Sequence, residues 1–211
     1  MDKIRGRILI ALLMAITALA AIAQSTINYG AGPGLRDVTF NGGATPVPDG
    51  NQVQIGYFNP GFNVSANSGN IFALASAWHE LDFANIQTIF GQPGRFSDSV
   101  STMDANFDNQ KICLWLFKTT DNGAPLGNYS NVEGYGLYSS TALNWLFPVH
   151  DVIPPPNATI TSSEINQAFY GNVDPFHLIL APVPEPSTYA IGGVALAFFV
   201  GSVLRKRFKQ D

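Results

Sequence analysis

The apolar run from Tyr189 to Leu204 constrains this chain more than any other stretch of its sequence. The run is 16 residues long and carries no charged side chain, and as a helix it would measure about 24 Å. A hydrocarbon core of about 30 Å needs a slightly longer span. Ser187 and Thr188 can extend one end, and Lys and Arg stems can reach the interface at the other. The run therefore predicts a marginal transmembrane helix over residues 189–204.

A basic cluster follows this run at once. It consists of Arg205, Lys206, Arg207 and Lys209. Positive charges beside a span stay on the cytoplasmic side of the membrane. The cluster is thus expected to act as a membrane stop, with the preceding chain outside the cytoplasm.

Pro184, Glu185 and Pro186 stand just before the apolar run. The order of Pro-Glu-Pro motif, apolar helix and basic cluster within residues 183–211 resembles the PEP-CTERM sorting signal of bacteria. The resemblance implies that the three residues are a sorting motif for an exosortase-like processing enzyme. It also implies anchoring in the inner membrane before processing, followed by delivery to the cell surface or extracellular matrix. A plain single-span anchor is the alternative.

The other end of the chain has the pattern of a secretory signal peptide. Residues 1–7 carry three cations, residues 8–22 are apolar, and Ala21 and Ala23 provide the small side chains that a signal peptidase accepts. Cleavage is predicted before Gln24, so that residues 1–23 are removed.

Residues 24–182 are then predicted to form one extracytoplasmic domain. This part holds four Lys and Arg against twelve Asp and Glu, a formal charge of −8. Such an acidic body is a poor partner for phosphate backbones, which excludes nucleic acid as a partner. Only 12% of the whole chain is charged, about half the usual fraction, so uncharged polar side chains must supply much of the surface.

Strand-like patterns dominate this domain. Short segments rich in β-branched and aromatic residues alternate with turns of Gly, Pro, Asn and Asp. They are Asp37–Phe40, Gln52–Phe58, Phe96–Met103, Lys111–Lys118, Glu133–Ser140, Asn144–Pro148 and Phe176–Ala181. Lys111–Lys118 is apolar on both faces and is expected at the centre of a sheet. The fold prediction is mainly β: an antiparallel β-sandwich-like domain with one or two short helices.

The two predicted helices are Ala73–Leu81 and Ser162–Phe169. Apolar residues recur at three- and four-residue intervals in the first, and a capping box of Thr161 and Glu164 opens the second. The glycine-rich residues 24–34 are predicted to be a mobile lead-in. No helix follows their glycines, so they do not match a phosphate-binding loop.

The series of strand patterns, leading directly into the tail, is similar to the small exported domains of PEP-CTERM proteins from Verrucomicrobia and related bacteria. Those domains carry no assigned activity. This second resemblance therefore implies a compartment and no chemistry.

Residues that could take part in catalysis or metal binding are dispersed along the chain. His79, His150 and His177 lie far apart in sequence, and no Gly-x-Ser-x-Gly motif occurs. Asp104–Asn109 has the oxygen spacing of half a calcium loop but lacks its glycine and closing glutamate, which favours a polar turn. Cys113 is the single cysteine, so it forms no internal disulfide, and its apolar neighbours predict a buried, inert thiol. No catalytic residue, metal centre or cofactor is predicted.

Four aromatic residues leave two interpretations open. Tyr57, Trp115, Tyr135 and Trp145 either line a sugar-binding face or fill the core, and their alternation within strands favours the core. The expected function is that of an exported surface or matrix protein without enzymatic activity. A carbohydrate-binding module for extracellular polysaccharide is the alternative. A glycoside hydrolase-like enzyme comes third, because twelve acids can form spatial pairs.

Overall fold

The structure is a computed structural model that describes residues 24–32 and 34–184. The predicted signal peptide, with Ala21 and Ala23, lies outside the described residues. So do Glu185, Pro186, the predicted transmembrane helix and the basic cluster Arg205, Lys206, Arg207 and Lys209. Pro184 is the last residue described.

Strands make up most of the described chain. In chain order they are β1 (Ser25–Gly30), β2 (Asp37–Phe40), β3 (Thr45–Pro46), β4 (Gln52–Phe58), β5 (Trp78–Asn85), β6 (Gln87–Ile89), β7 (Gln92–Arg95), β8 (Ser97–Thr102), β9 (Cys113–Thr119), β10 (Val132–Ser139), β11 (Asn157–Thr161), β12 (Gln167–Tyr170), β13 (Asn172–Val173), β14 (His177–Ile179) and β15 (Ala181–Pro182). The predicted mainly β fold is confirmed.

The largest sheet has β9 at its centre. Its strands run in the order β12-β10-β9-β4-β5, and β15 also pairs with β10. Leu114 and Leu116 of β9 are fully buried in one core cluster, whereas Trp115 and Phe117 are fully buried in a second. Alternate side chains of a strand point to opposite faces, so both faces of this sheet are covered. The prediction of a central strand here is confirmed.

Three smaller sheets complete the fold. One has the order β11-β1-β8, one has the order β13-β14-β2-β3, and β6 and β7 form a two-stranded hairpin. Pairing is antiparallel except between β1 and β11 and between β2 and β14, which are parallel. Ile27 and Ile160, from β1 and β11, join the same core cluster as Leu114. The three-stranded sheet thus packs over one face of the central sheet.

Two short helices cover the other face: α1 (Val64–Asn67) and α2 (Ile71–Ala77). Ile71, Leu74 and Ala77 of α2 are buried in the second core cluster. The helix predicted over Ala73–Leu81 is correct to Ala77 and wrong beyond it, because Trp78 begins β5. Pairing of β5 with β4 along its whole length outweighs the helical spacing of the apolar residues.

The second predicted helix, Ser162–Phe169, is wrong. The Glu164 carboxylate accepts a hydrogen bond from the Thr161 backbone N–H at 3.1 Å, as the capping box requires. The helix is nevertheless a single 3-10 turn, Ser162–Glu164, and the chain continues as β12. Pairing of β12 with β10 supplies the backbone partners that further helical turns would have provided.

Two further predictions fail. Residues 25–30 of the predicted lead-in are strand β1, with Ser25, Ile27 and Tyr29 buried. Asn144–Pro148 is no strand, although Leu146 forms an isolated bridge with Lys111, flanked by backbone hydrogen bonds of Trp145 and Phe147. The other strand predictions agree with the observed strands to within a few residues. In the part of the chain described, no helix has both the length and the apolar character that crossing a bilayer requires.

Candidate functional site

The outward side of the β11-β1-β8 sheet is an uncharged polar surface. Ile27 and Tyr29 of β1 point into the core, so Thr26, Asn28 and Gly30 point outward. The flanking strands alternate in the same way and present only Ser, Thr and Asn on this side. A strict two-residue alternation along three paired strands therefore produces the surface.

The register places these residues in three rows of three. The rows are Asn157, Thr26 and Ser101; then Thr159, Asn28 and Ser99; then Thr161, Gly30 and Ser97. We call these nine residues the hydroxyl–amide face. Six of them are exposed and three are half-buried. From strand geometry, successive rows are about 6.7 Å apart along a strand, and neighbouring residues within a row are about 4.8 Å apart.

The face offers hydrogen-bonding groups without charge. Each hydroxyl can donate and accept, and each carboxamide has both kinds of group. Thr26 and Ser101 share a hydrogen bond at 2.9 Å, and Thr161 and Ser163 share one at 3.0 Å. The arrangement can bind a neutral ligand that carries many hydroxyl groups.

An open groove of about 430 Å³ lies over part of this face. Asn28, Gly30, Ser97, Ser99, Thr159 and Thr161 all line it. Gly32 and Leu35 also line it, and their carbonyl oxygens accept hydrogen bonds from the buried Arg95 guanidinium. This part of the lining is therefore held by a charged side chain that does not itself line the groove.

Three carboxylates lie around the inward Tyr29 side chain. Its hydroxyl donates to Oδ2 of Asp82 at 3.1 Å. Burial, and then the charges of Asp82, Asp98 and Glu80, raise the pKa of Tyr29 well above its ordinary value. Burial and the nearby Asp82 also raise the pKa of Glu80. Asp98 also lines the groove, so one carboxylate, outside the hydroxyl–amide face, stands at its edge.

The four aromatic residues considered for sugar binding are core residues. Trp115, Tyr135 and Trp145 have no exposed surface and Tyr57 has 6%. Core packing is confirmed for them, and a sugar-binding face built from them is wrong. Exposed aromatic rings lie elsewhere, at Phe72, Phe83, Phe90 and Phe176.

The three histidines each have a local partner. His79 falls within the predicted helix Ala73–Leu81 but lies on β5, where its ring stacks on Tyr57 with 4.7 Å between centroids. His150 pairs with Asp108 at 2.8 Å rather than with its neighbour Asp151.

His177 lies between two carboxylates, 3.0 Å from Asp174 and 3.6 Å from Asp37. Across residues 24–32 and 34–184, no three His, Cys, Asp or Glu side chains are grouped suitably for a metal ion.

Two other predictions about local chemistry are confirmed. Cys113 is buried, and this burial raises the pKa of its thiol to about 12. Asp104 caps a single 3-10 turn, Ala105–Phe107, so Asp104–Asn109 is a polar turn. Asn109 has a φ of 58° there, a conformation that Asn adopts more readily than most residues.

Of the predicted sorting motif, only Pro184 is described. The backbone N–H of Val183 donates to the carbonyl of Glu133 at 3.0 Å. The chain therefore stays attached to β10 of the central sheet up to the residue before the motif.

Sequence reasoning missed the hydroxyl–amide face. The alternation of Ser97, Ser99 and Ser101 was visible as a weak strand pattern. Its significance depends on β1 and β11, which are distant in sequence. No local signal brings the three strands together.

Comparison with known proteins assigns no family to this chain. No family model matches it, and no solved structure is significantly similar. Glycerol kinases from Streptococcus sanguinis, Streptococcus gordonii and Streptococcus pneumoniae are 32% identical to it over 74 residues. That segment is 35% of this chain and 15% of each kinase. The chain thus spans far less than two thirds of the length of these curated relatives.

Proposed function

We propose that this chain is an exported surface or matrix protein whose β domain binds uncharged extracellular polysaccharide. The observation that carries the proposal is the hydroxyl–amide face, with its nine uncharged residues in three rows. Neutral sugars present many hydroxyl groups, and the face presents matching donors and acceptors. The domain is proposed to be β-sandwich-like, because the three-stranded and central sheets share one core.

The expected affinity for each sugar unit is low. A hydrogen bond that replaces bonds to water contributes only about 0.5–1.5 kcal/mol net. Several bonds along an extended polymer are therefore needed, and repeated contacts raise the apparent affinity through high local concentration. This reasoning favours a long polysaccharide over a monosaccharide.

The charge distribution supports a neutral ligand. Residues 24–182 carry a formal charge of −8, which repels anionic polymers at low ionic strength. None of the nine residues of the hydroxyl–amide face carries a charge. Discrimination between neutral and anionic polysaccharides is expected from this arrangement.

The proposal includes export through the two ends of the chain. A signal peptidase would release residues 1–23, and an exosortase-like enzyme would act at Pro184, Glu185 and Pro186. The membrane would hold the protein before processing. The hydrogen bond of Val183 to Glu133 supports this order of parts, because it joins the residue just before the motif to β10 of the domain.

A glycoside hydrolase-like enzyme is the second candidate. The raised pKa of Glu80, close to Asp82, favours it, since glycosidases use a protonated acid beside a second carboxylate. Binding ranks first because Asp82 already accepts the Tyr29 hydroxyl. Reducing sugar released from a neutral polysaccharide by the protein, and lost in Glu80→Gln, would reverse this order.

Binding of the full chain to polysaccharides tests the proposal. Affinity electrophoresis in gels that contain a neutral glucan or an anionic alginate measures retardation directly. Retardation by the glucan alone is expected, and it should be lost in the middle-row variant Asn28→Ala, Ser99→Ala, Thr159→Ala. The double variant Ser65→Ala, Ser76→Ala removes exposed hydroxyls from the helices and should behave as the unchanged protein. Equal retardation of all three proteins, or none by any neutral polysaccharide in a panel, would contradict the proposal.

A further inference from the structure

Phe90 occupies an unusual position at the tip of the β6–β7 hairpin. Ile89 pairs with Gln92, so Phe90 and Gly91 form a two-residue loop. Their φ angles are 51° and 75°, both in the left-handed region that a type I′ turn requires. Asn or Gly is the usual residue at the first of these positions, because a bulky side chain is strained there.

Burial of the ring does not compensate for this strain. The Phe90 side chain is 88% exposed, the most exposed aromatic residue in the described chain. An exposed ring gains little from burial, and a strained backbone raises the energy of the folded state. A polar Asn would fit both the turn and the solvent better, so the folding preference of the site does not account for the ring.

The base of the hairpin is fixed to the body. The Thr88 hydroxyl donates to Asp49 at 3.1 Å, and the backbones of Ile86 and Asn51 are hydrogen-bonded. Gly94 packs so closely on β2 that an added Cβ would lie 2.5 Å from the carbonyl oxygen of Val38. The ring is thus presented on a firmly held support, which lowers the entropy lost on binding.

The hairpin is continuous with the hydroxyl–amide face. Only Phe96 separates β7 from β8, whose Ser97 belongs to that face. Seven residues lead from Phe90 to Ser97, so the two are about 25 Å apart at most. We propose that Phe90 stacks on a sugar ring of the same neutral polysaccharide chain that lies on the hydroxyl–amide face. The inference rests on the proposed function and deepens it, because a polymer is the ligand that reaches both places.

Charge favours a sugar over a lipid surface as the partner of this ring. The exposed polar residues of the hairpin strands are Gln87, Thr88 and Gln92, and none of them is basic. The one basic residue of these strands, Arg95, is buried and donates to the carbonyl oxygens of Gly32 and Leu35. Membrane surfaces are commonly anionic and attract Lys and Arg, whereas this body has a formal charge of −8. Flat, neutral sugar faces need only an exposed aromatic ring.

The test compares Phe90→Asn with Phe176→Asn in the full chain. Phe176 is also highly exposed, at 72%, but it precedes β14 on a different sheet. Phe90→Asn should bind a neutral glucan roughly five- to tenfold more weakly, the range expected for one aromatic contact. It should also raise the melting temperature by about 2–4 °C, because the turn strain is relieved. Phe176→Asn should leave the glucan affinity unchanged. It should also bring no gain in melting temperature from relief of turn strain, because Phe176 lies outside the β6–β7 turn.

Further variants keep each outcome decisive. Phe90→Trp keeps a flat ring and should keep affinity, whereas Phe90→Leu keeps apolar surface without a ring and should lose it. Unchanged glucan affinity in Phe90→Asn, while the middle-row variant loses binding, would overturn this inference and leave the proposed function standing. Absence of glucan binding by the unchanged protein would overturn both. Loss of binding to anionic vesicles alone in Phe90→Asn would assign the ring to a membrane and overturn the inference.

Discussion

Gly56 shows how one residue without a side chain sets the pairing of two strands. It lies in β4 at a register shift opposite β5. A Cβ at this position would lie 2.1 Å from the carbonyl oxygen of His79 and 2.7 Å from the Trp78 ring. The β5 backbone can approach this closely only because glycine occupies the site.

We expect Gly56→Ala to lower the free energy of unfolding by about 3 kcal/mol, because the backbone of β5 must move to admit the methyl group. Urea denaturation measures the loss. Gly127→Ala is the matched control, since an added Cβ there meets nothing within 4 Å, and it should stay within about 0.5 kcal/mol of the unchanged protein. Equal midpoints for the two variants would contradict the expectation.

Glu80 provides a pH-dependent prediction at the same scale. Burial and Asp82 raise its pKa above the ordinary value of 4.5, so the folded state binds this proton more tightly than the unfolded state does. Its contribution to stability is therefore complete below pH 4.5 and is lost as the pH rises through the folded pKa. Glu80→Gln removes the ionisation and should be more stable at pH 7, by about 0.5 kcal/mol at most because solvent still screens this partly buried carboxylate.

Thermal unfolding at pH 7 and pH 3.5 measures this difference. The gain from Glu80→Gln should vanish at the lower pH. Glu133→Gln is the contrasting control, because Glu133 forms an ion pair with Lys118 and its loss should slightly destabilise the protein at pH 7. A Glu80→Gln variant that is less stable than the unchanged protein at pH 7 would refute the argument.

At the scale of elements, the junction between α2 and β5 shows that strand pairing can override a local helix signal. The Asn70 side chain accepts a hydrogen bond from the Ala73 N–H at 3.1 Å and starts the helix. The helix ends after Ala77 because seven of the next eight residues pair with β4. The capping box at Thr161 and Glu164 is formed but is likewise followed by a strand. Caps thus mark where a helical turn starts and do not set how far it continues.

Asn70→Ala should cost about 1 kcal/mol, the usual loss for an N-cap. Chemical denaturation monitored by tryptophan fluorescence suits the measurement, because Trp78 and Trp115 lie in the core cluster that α2 covers. Ser76→Ala, on the exposed side of the same helix, should change stability by less than about 0.5 kcal/mol. A loss of similar size in both variants would mean that the Asn70 cap is not the cause.

At the scale of the whole molecule, a strand lies next to each predicted targeting segment: β1 follows the signal peptide, and β15 precedes the sorting motif. Ser25 begins β1, one residue after the predicted cleavage site before Gln24. Cleavage there leaves β1 intact between β8 and β11, whereas cleavage within β1 would remove its pairing. We expect the mature protein to begin at or near Gln24, as mass measurement of protein recovered from cells will reveal. A mature protein that retains residues 1–7 would contradict this.

The other end gives the second prediction at this scale. Replacing Pro184, Glu185 and Pro186 with Ala should leave export and insertion intact but block processing, so full-length protein accumulates in the inner membrane. Immunoblots of membrane fractions from a host with the processing enzyme measure this. Removing Arg205, Lys206, Arg207 and Lys209 instead should weaken membrane retention. Normal processing of the triple-Ala protein would reduce the segment to an ordinary anchor.

The sequence by itself determined the features whose signals are local. The strand Gln52–Phe58 and the central strand, predicted over Lys111–Lys118 and observed over Cys113–Thr119, follow from side-chain alternation and apolar runs. The buried Cys113 and the polar turn after Asp104 follow from apolar neighbours and from side-chain bonds to nearby backbone. The compartment prediction also rests on local sequence patterns, in the two targeting segments that lie almost wholly outside the described residues. Each of these depends on a few consecutive residues.

Only the tertiary structure decided the secondary structure of the segments whose local sequence patterns are weak or misleading. β1 is a strand because Ser97–Thr102 and Asn157–Thr161 hydrogen-bond to its two edges, and Trp78–Asn85 is a strand because β4 pairs with it. The hydroxyl–amide face exists only when three strands distant in sequence align in register. Backbone groups must find partners when they are buried, and for these segments the partners lie too far along the chain for any local pattern to name them.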